Sequence, residues 1–234
     1  MLKYFIGLFC LSLATIANLS CAQTELLSTA PQISYKIISE RSHKTSLFTQ
    51  GLEVKNGSFY ESSGLYAKSQ IVTYPITEPE GTWAKMTAPF TQKQRIPDRY
   101  FAEGLTLLNN KLYVLTWLEG TVFVYDANNF SLIKNVNYKG EGWGLTNDGK
   151  HLIRSDGSNK LFFHNAESFS VEKNISVKYQ QEAIMNLNEL EYAEGFIWAN
   201  IWHDNRIVKI NPATGNVIGV MDFAAIAKNI KLTD

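Results

Sequence analysis

FAEGLTLLNNKLYVLTW, residues 101–117, sets a Gly-Leu step, an apolar run, an Asn-Asn turn and a second apolar run in immediate succession. Two short runs of apolar and aromatic residues joined by a tight turn read as paired antiparallel strands. Working outward, the same Gly-Leu step recurs in FTQGLE (48–53) and GWGLT (142–146), and a degenerate copy, LNELEY, occupies 187–192. From Gly51 to Gly104, Gly144 and Glu189 the steps are 53, 40 and 45 residues. A repeat of that length suits four short strands, the blade of a β-propeller.

The strands after each step agree. TVFVYD and a turn at Asp126–Asn129 follow the second copy. HLIRSDG and KLFFHN follow Asn147-Asp148-Gly149, and FIWANIW and RIVKINPATG follow Glu194-Gly195. Four complete units begin near 48, 101, 142 and 187. A further strand, ISYKIIS (33–39), precedes them without partners of its own, and FAAIAKNI (223–230) reads as a short helix. The fold class is all-β.

Composition narrows the function. The 234 residues carry 22 basic and 22 acidic side chains, with 45% hydrophobic and 12% aromatic content. Such a chain builds one large core, or at most two domains, and is not disordered. Zero formal charge offers no basic face for nucleic acid and no polybasic anchor for a membrane.

Lys3, the apolar run from Tyr4 to Ala17 and the small-residue end Ser20-Cys21-Ala22 read as a cleaved secretory signal over 1–22. The run is shorter than the ~20 residues that span a bilayer. Residues 23–234 are then a periplasmic or secreted domain with no membrane attachment; lipidation of Cys21 is the alternative. Both cysteines, Cys10 and Cys21, fall in the signal. Without them, only His43, His151, His164 and His203 could anchor a transition metal, and none pair at zinc-site spacing. No Ser/His/Asp nucleophile motif, phosphate loop or dinucleotide fingerprint occurs.

A propeller gathers the loops entering its innermost strands around one mouth of the channel. Phe48, Gln50, Phe101, Glu103, Trp143 and Asn188 stand just before or within the repeated steps and should converge there, with Trp117 and Trp202 flanking them. Among aromatic walls the single carboxyl, Glu103, loses hydration and should ionise late, making it a proton carrier near neutral pH. Its plainer reading is a solvated or loop-capping group. Trp83 and Trp198 read as inter-blade packing. Glu189 and Glu191 share one strand face and could meet a cation. Tyr66-Ala67-Lys68-Ser69 and the Asn-rich turns admit a Ca²⁺-dependent lactonase-like propeller, although the inner positions are mostly aromatic.

Six collinear segments, FTQGLE, FYESSGLYAKS (59–69), YFAEGLTLLNNKLYVLTW (100–117), GWGLTNDGK (142–150), SDGSNKLF (155–162) and LNELEYAEGFIWANIW (187–202), together resemble the plant and bacterial type of glutaminyl cyclase. The resemblance runs from about residue 33 to about residue 222. It implies a five-bladed propeller that converts N-terminal glutamine of peptides and proteins to pyroglutamate with loss of ammonia. It implies no cofactor and no metal, with Glu103 as acid/base. Phe48, Gln50, Phe101, Trp117, Trp143, Asn188 and Trp202 would form the substrate pocket of a monomer. The alternative is a non-catalytic secreted propeller that binds peptides or partner proteins.

Three departures accompany the resemblance. Ala67 and Ala102 replace family glycines, harmlessly if the backbone there keeps an ordinary φ. Family members also continue beyond an aspartate such as Asp234 with further strands and a lysine near the pocket. The fifth blade is therefore expected to be incomplete at the C-terminus.

Overall fold

The computed structural model describes residues 22–38, 43–76 and 90–228. Residues 1–21 of the expected signal, residue 39 of the expected first strand, and Trp83 lie outside them.

Four antiparallel four-stranded sheets follow one another along the chain, each in sequence order. The first holds β1 (Thr49–Lys55), β2 (Ser58–Ser63), β3 (Gln70–Pro75) and β4 (Gln92–Arg95). The second holds β5 (Ala102–Leu108), β6 (Lys111–Thr116), β7 (Thr121–Asp126) and β8 (Leu132–Asn137). The third is β9 (Leu145–Asn147), β10 (His151–Arg154), β11 (Lys160–Asn165) and β12 (Val171–Ser176). A small hairpin, β13 (Lys178–Tyr179) with β14 (Glu182–Ala183), leads to the fourth: β15 (Leu187–Ala193), β16 (Phe196–Ile201), β17 (Arg206–Ile210) and β18 (Val217–Asp222).

In the second and third sheets burial falls from the first strand to the last, as in propeller blades. Every residue of β5 is buried, whereas β12 is almost wholly exposed. The first strands approach one another backbone to backbone. A Cβ on Gly51 would lie 2.5 Å from the Leu105 nitrogen, and one on Gly104 would lie 2.4 Å from the Leu145 nitrogen. A Cβ on Gly144 would stand 2.1 Å from the Asn188 carbonyl oxygen. Only glycine fits such contacts, which is why the step repeats in the sequence.

The described residues thus form a propeller-like arrangement of four sheets; a fifth, which the resemblance implies, is not among them. Where the fourth sheet meets the first, Leu52 and Val54 of β1 are 40% and 49% exposed, in contrast to the buried β5.

The segment 33–38 departs from expectation. It forms no strand of its own; instead Gln32 makes a parallel bridge to Val220 on the outer edge of β18, with Ile33 N–H donating to Val220 O at 2.8 Å. Preceding it, the helical residues 22–28 (α1) place Leu27 fully buried in the core of the fourth sheet. The short C-terminal helix is α2 (Ala224–Ala227).

Ala67 is a second correction. Its φ is +61°, in the left-handed region that costs an L-residue roughly 1–2 kcal/mol, so the family glycine is the relaxed choice there. Ala102, fully buried at the start of β5, has no such strain. We therefore expect opposite effects. Ala67→Gly should stabilise by about 0.5–1 kcal/mol and raise the melting midpoint by about 1–4 °C. Ala102→Gly should lower it by a similar amount or more. Thermal unfolding of both variants checks this; a lower midpoint for Ala67→Gly would refute the strain.

Candidate active site

The close approach of the first strands decides where the site lies. Gln50 and Glu103 sit one residue before Gly51 and Gly104, on bulged stretches of β1 and β5. Trp143 precedes Gly144 just ahead of β9. Asn188 is the second residue of β15, where the pairing with β16 slips between Leu187 and Leu190. Trp117 and Trp202 each follow the last residue of a second strand, β6 and β16.

Phe48, Gln50, Phe101, Glu103, Trp117, Trp143, Asn188 and Trp202 line one cavity of about 200 Å³. All eight candidate residues therefore meet in one place. That volume lies below the range of about 300–1,000 Å³ typical of drug-sized ligand sites, so it suits a ligand of residue size. Phe48 and Trp202, 52% and 50% exposed, form the rim. Glu103, 7% exposed, forms the floor.

The walls are rings packed edge to face. Phe101 meets Phe48, Tyr66 and Trp117 at centroid distances of 6.4, 5.5 and 5.7 Å, and Trp143 meets Trp202 at 5.5 Å. Such geometry lets the edge of one ring face the electron-rich face of the next. Backbone bonds fix the floor: the Gly104 N–H donates to Trp143 O at 2.7 Å, and Ser62 Oγ donates to Glu103 O at 2.5 Å. Ser155 Oγ donates to Asn188 O at 2.6 Å.

Electrostatics single out Glu103. Among the described residues no cation and no side-chain donor bonds its carboxyl. Burial, and then the nearby Glu119 and Glu141 carboxylates, push it up to about 9. At neutral pH it keeps its proton, so it offers a donor and an acceptor together.

Sequence reasoning passed over those two neighbours. Glu119 accepts the Tyr66 hydroxyl at 2.8 Å and the Phe101 N–H at 3.4 Å. Glu141 accepts both the Trp117 and Trp143 indole N–H groups, at 2.9 and 3.0 Å. The only signal available was their place two residues from Trp117 and Trp143.

The remaining candidates stand apart. Glu189 accepts backbone N–H groups of Leu52 and Leu190, and burial raises it well above the usual range. Glu191, also through burial and then through Glu53, is pushed up to about 7. Among the described residues no cluster of three His, Cys, Asp or Glu is placed to hold a metal ion. The histidines are dispersed: His43 bonds Glu61, His151 bonds Asp148, His164 bonds Phe169 O and His203 packs on Trp202. Trp198 is half-buried, with the Lys209 ammonium 4.9 Å from its ring centre.

The chain is 32% identical over 197 residues to a glutaminyl-peptide cyclotransferase of Arabidopsis thaliana, covering 83% of this chain and 59% of that protein. It thus spans less than two thirds of that relative's length. The crystal structure of Myxococcus xanthus glutaminyl cyclase superposes with a TM-score of 0.75 at 35% identity, covering 85% of this chain and 82% of that one. A Bacteroides caccae protein of unknown function shares the fold alone, with a TM-score of 0.55 at 12% identity over 77% of this chain and 69% of that one. The family model described as glutamine cyclotransferase matches residues 9–234. The chain belongs to the glutamine cyclotransferase family.

Proposed function

We propose that this protein cyclises the N-terminal glutamine of peptides or proteins to pyroglutamate and releases ammonia. The observation that carries the reading is the Glu103 carboxyl, protonated at neutral pH on the floor of a residue-sized aromatic cavity beside the amides of Gln50 and Asn188. Family membership supports it.

The reaction is an intramolecular acyl transfer. The neutral α-amine attacks the γ-carbonyl carbon, the new C–N bond closes the ring, and the old C–N bond breaks to expel ammonia. One proton must pass from the attacking nitrogen to the departing one. A protonated carboxyl does this with two atoms: its hydroxyl donates to the leaving nitrogen while its carbonyl oxygen accepts from the amine. Gln50 and Asn188 hold the substrate carboxamide, and the rings exclude water. Folding the glutamine so that its amine meets its own carboxamide supplies much of the remaining acceleration. The scheme uses no cofactor.

The finer architecture belongs to the same proposal. A fifth blade belongs between β15 and β1, a reading supported by the exposure of Leu52 and Val54 and by the family. Residues 23–234 form the propeller domain of a periplasmic or secreted monomer; the pattern of residues 1–22 supports the export.

Ammonia release from a Gln-initiated dipeptide tests the activity directly, and no release would leave a non-catalytic propeller. With it, Glu103→Gln should cut kcat by about 10²-fold or more with a smaller effect on KM. The variant should also fold at least as stably as the parent. An unfolded carboxyl ionises near pH 4.5 and the folded one only near 9, so between these values folding must take up a proton that glutamine does not need. Parental kcat in Glu103→Gln would remove this residue from the mechanism.

The pH profile carries a second test. Activity should rise as the substrate amine loses its proton, near pH 8, and fall as Glu103 loses its own near 9. The groups coupled to Glu103 are the Glu119 and Glu141 carboxylates and the Tyr66 and Tyr138 hydroxyls. Glu119→Gln removes a like charge, so the anionic form of Glu103 becomes easier to reach. The alkaline limb should move to lower pH; an unmoved limb would mean that another group sets it.

A further inference from the structure

We propose that Glu141 is a positioning residue: one of its carboxylate oxygens pins the indoles of Trp117 and Trp143, which come from different sheets, and so fixes two walls of the pocket. Its kinetic consequence rests on the cyclisation reading; its structural content does not.

The geometry is specific. Both indole N–H groups donate to the same Oε2 atom, at 2.9 and 3.0 Å. An indole nitrogen can only donate, and a half-buried one needs an acceptor. A carboxylate oxygen with several lone-pair sites can serve two at once through charge-assisted bonds. Trp117 closes the β6 end of the second sheet and Trp143 opens the third, so a single side chain couples two blades at the cavity. From these rings the order spreads to Phe101 and Trp202, which they meet edge to face.

Glu141 is itself held from behind. Arg154, 3% exposed, donates through Nη1 to the Glu141 carbonyl oxygen. Its Nε donates to His164 Nε2 at 3.3 Å. That assignment is consistent, because burial keeps His164 neutral, at about 4, and His164 Nδ1 bonds the Phe169 carbonyl at 2.8 Å, which leaves Nε2 as an acceptor. The guanidinium also lies 4.5 Å from the Phe162 ring centre and 5.0 Å from that of Tyr138.

The backbone completes the seat. The Gly142 N–H donates to Trp117 O at 2.9 Å, and the Trp143 N–H donates to Ser155 O at 3.1 Å. At Gly142 a Cβ would lie 2.6 Å from the Thr116 carbonyl oxygen, so the segment cannot shift without breaking this packing.

The test compares Glu141→Ala with Glu141→Gln in the full chain. Arg154 binds the backbone carbonyl, which both variants keep, so both should fold; thermal unfolding checks that. Glutamine retains one oxygen that can accept both indole protons, and alanine retains none. In ¹H–¹⁵N spectra the Trp117 and Trp143 indole signals should move and exchange with solvent at least about tenfold faster in Glu141→Ala, the loss expected for a charged hydrogen bond. Glu141→Gln should hold them near their parental positions. With a Gln-initiated dipeptide, kcat/KM should fall at least about tenfold in Glu141→Ala and recover most of that loss in Glu141→Gln.

Unmoved indole signals in Glu141→Ala would overturn the proposal. So would a Glu141→Gln variant whose indoles are as free as those of Glu141→Ala. If the parent releases no ammonia, the cyclisation reading fails while the indole signals still decide the role of Glu141.

Discussion

The fold and the pocket both depend on three places where backbone touches backbone. Gly51, Gly104 and Gly144 each stand against the first strand of the next sheet with no room for a methyl group. That proximity buries β5 completely and brings the residue before each glycine toward the same axis. The fourth unit carries Glu189 in the equivalent place. Its neighbour in the first sheet is Leu52, and the Glu189 carboxylate accepts the Leu52 N–H. A side chain spans there what glycine leaves to the backbone elsewhere.

With the frame set, the chemistry follows from an electrostatic conflict. Glu103 is held in an apolar cavity and faced by two further carboxylates, so its charged form is unfavourable and it keeps a proton. The neighbours that impose this also build the walls. Glu119 bonds Tyr66 and the Phe101 backbone, and Glu141 bonds Trp117 and Trp143. Placing three acidic groups together costs stability, and an aspartate or glutamate buried without a cation is uncommon for that reason. Such placement suits the proton carrier proposed at this position.

Much of this was legible in the chain itself. The Gly-Leu repeat carries its own physical cause, and six of the eight candidate residues are defined by their position relative to it. Other features were not. Ala67 looks innocuous in a sequence, because nothing there reports a φ of +61°. Glu141 and Arg154 act through hydrogen bonds to side chains and a carbonyl that only the folded chain brings together. The segment 31–33 pairs with β18 across nearly the whole described chain, so its partner had no local signature. The apolar run that begins at Ile33 looked like a strand, while among its described residues only Ile33 bonds the β18 backbone.

The central claim is that an N-terminal glutamine occupies the cavity over Glu103. A crystal structure of Glu103→Gln with a bound Gln-initiated dipeptide tests it most directly, because the slowed variant should retain its substrate. The account predicts the peptide α-amine within hydrogen-bond reach of the side chain at 103, and the γ-carboxamide against Gln50 and Asn188. A dipeptide seated outside this cavity, with residue 103 untouched, would contradict it.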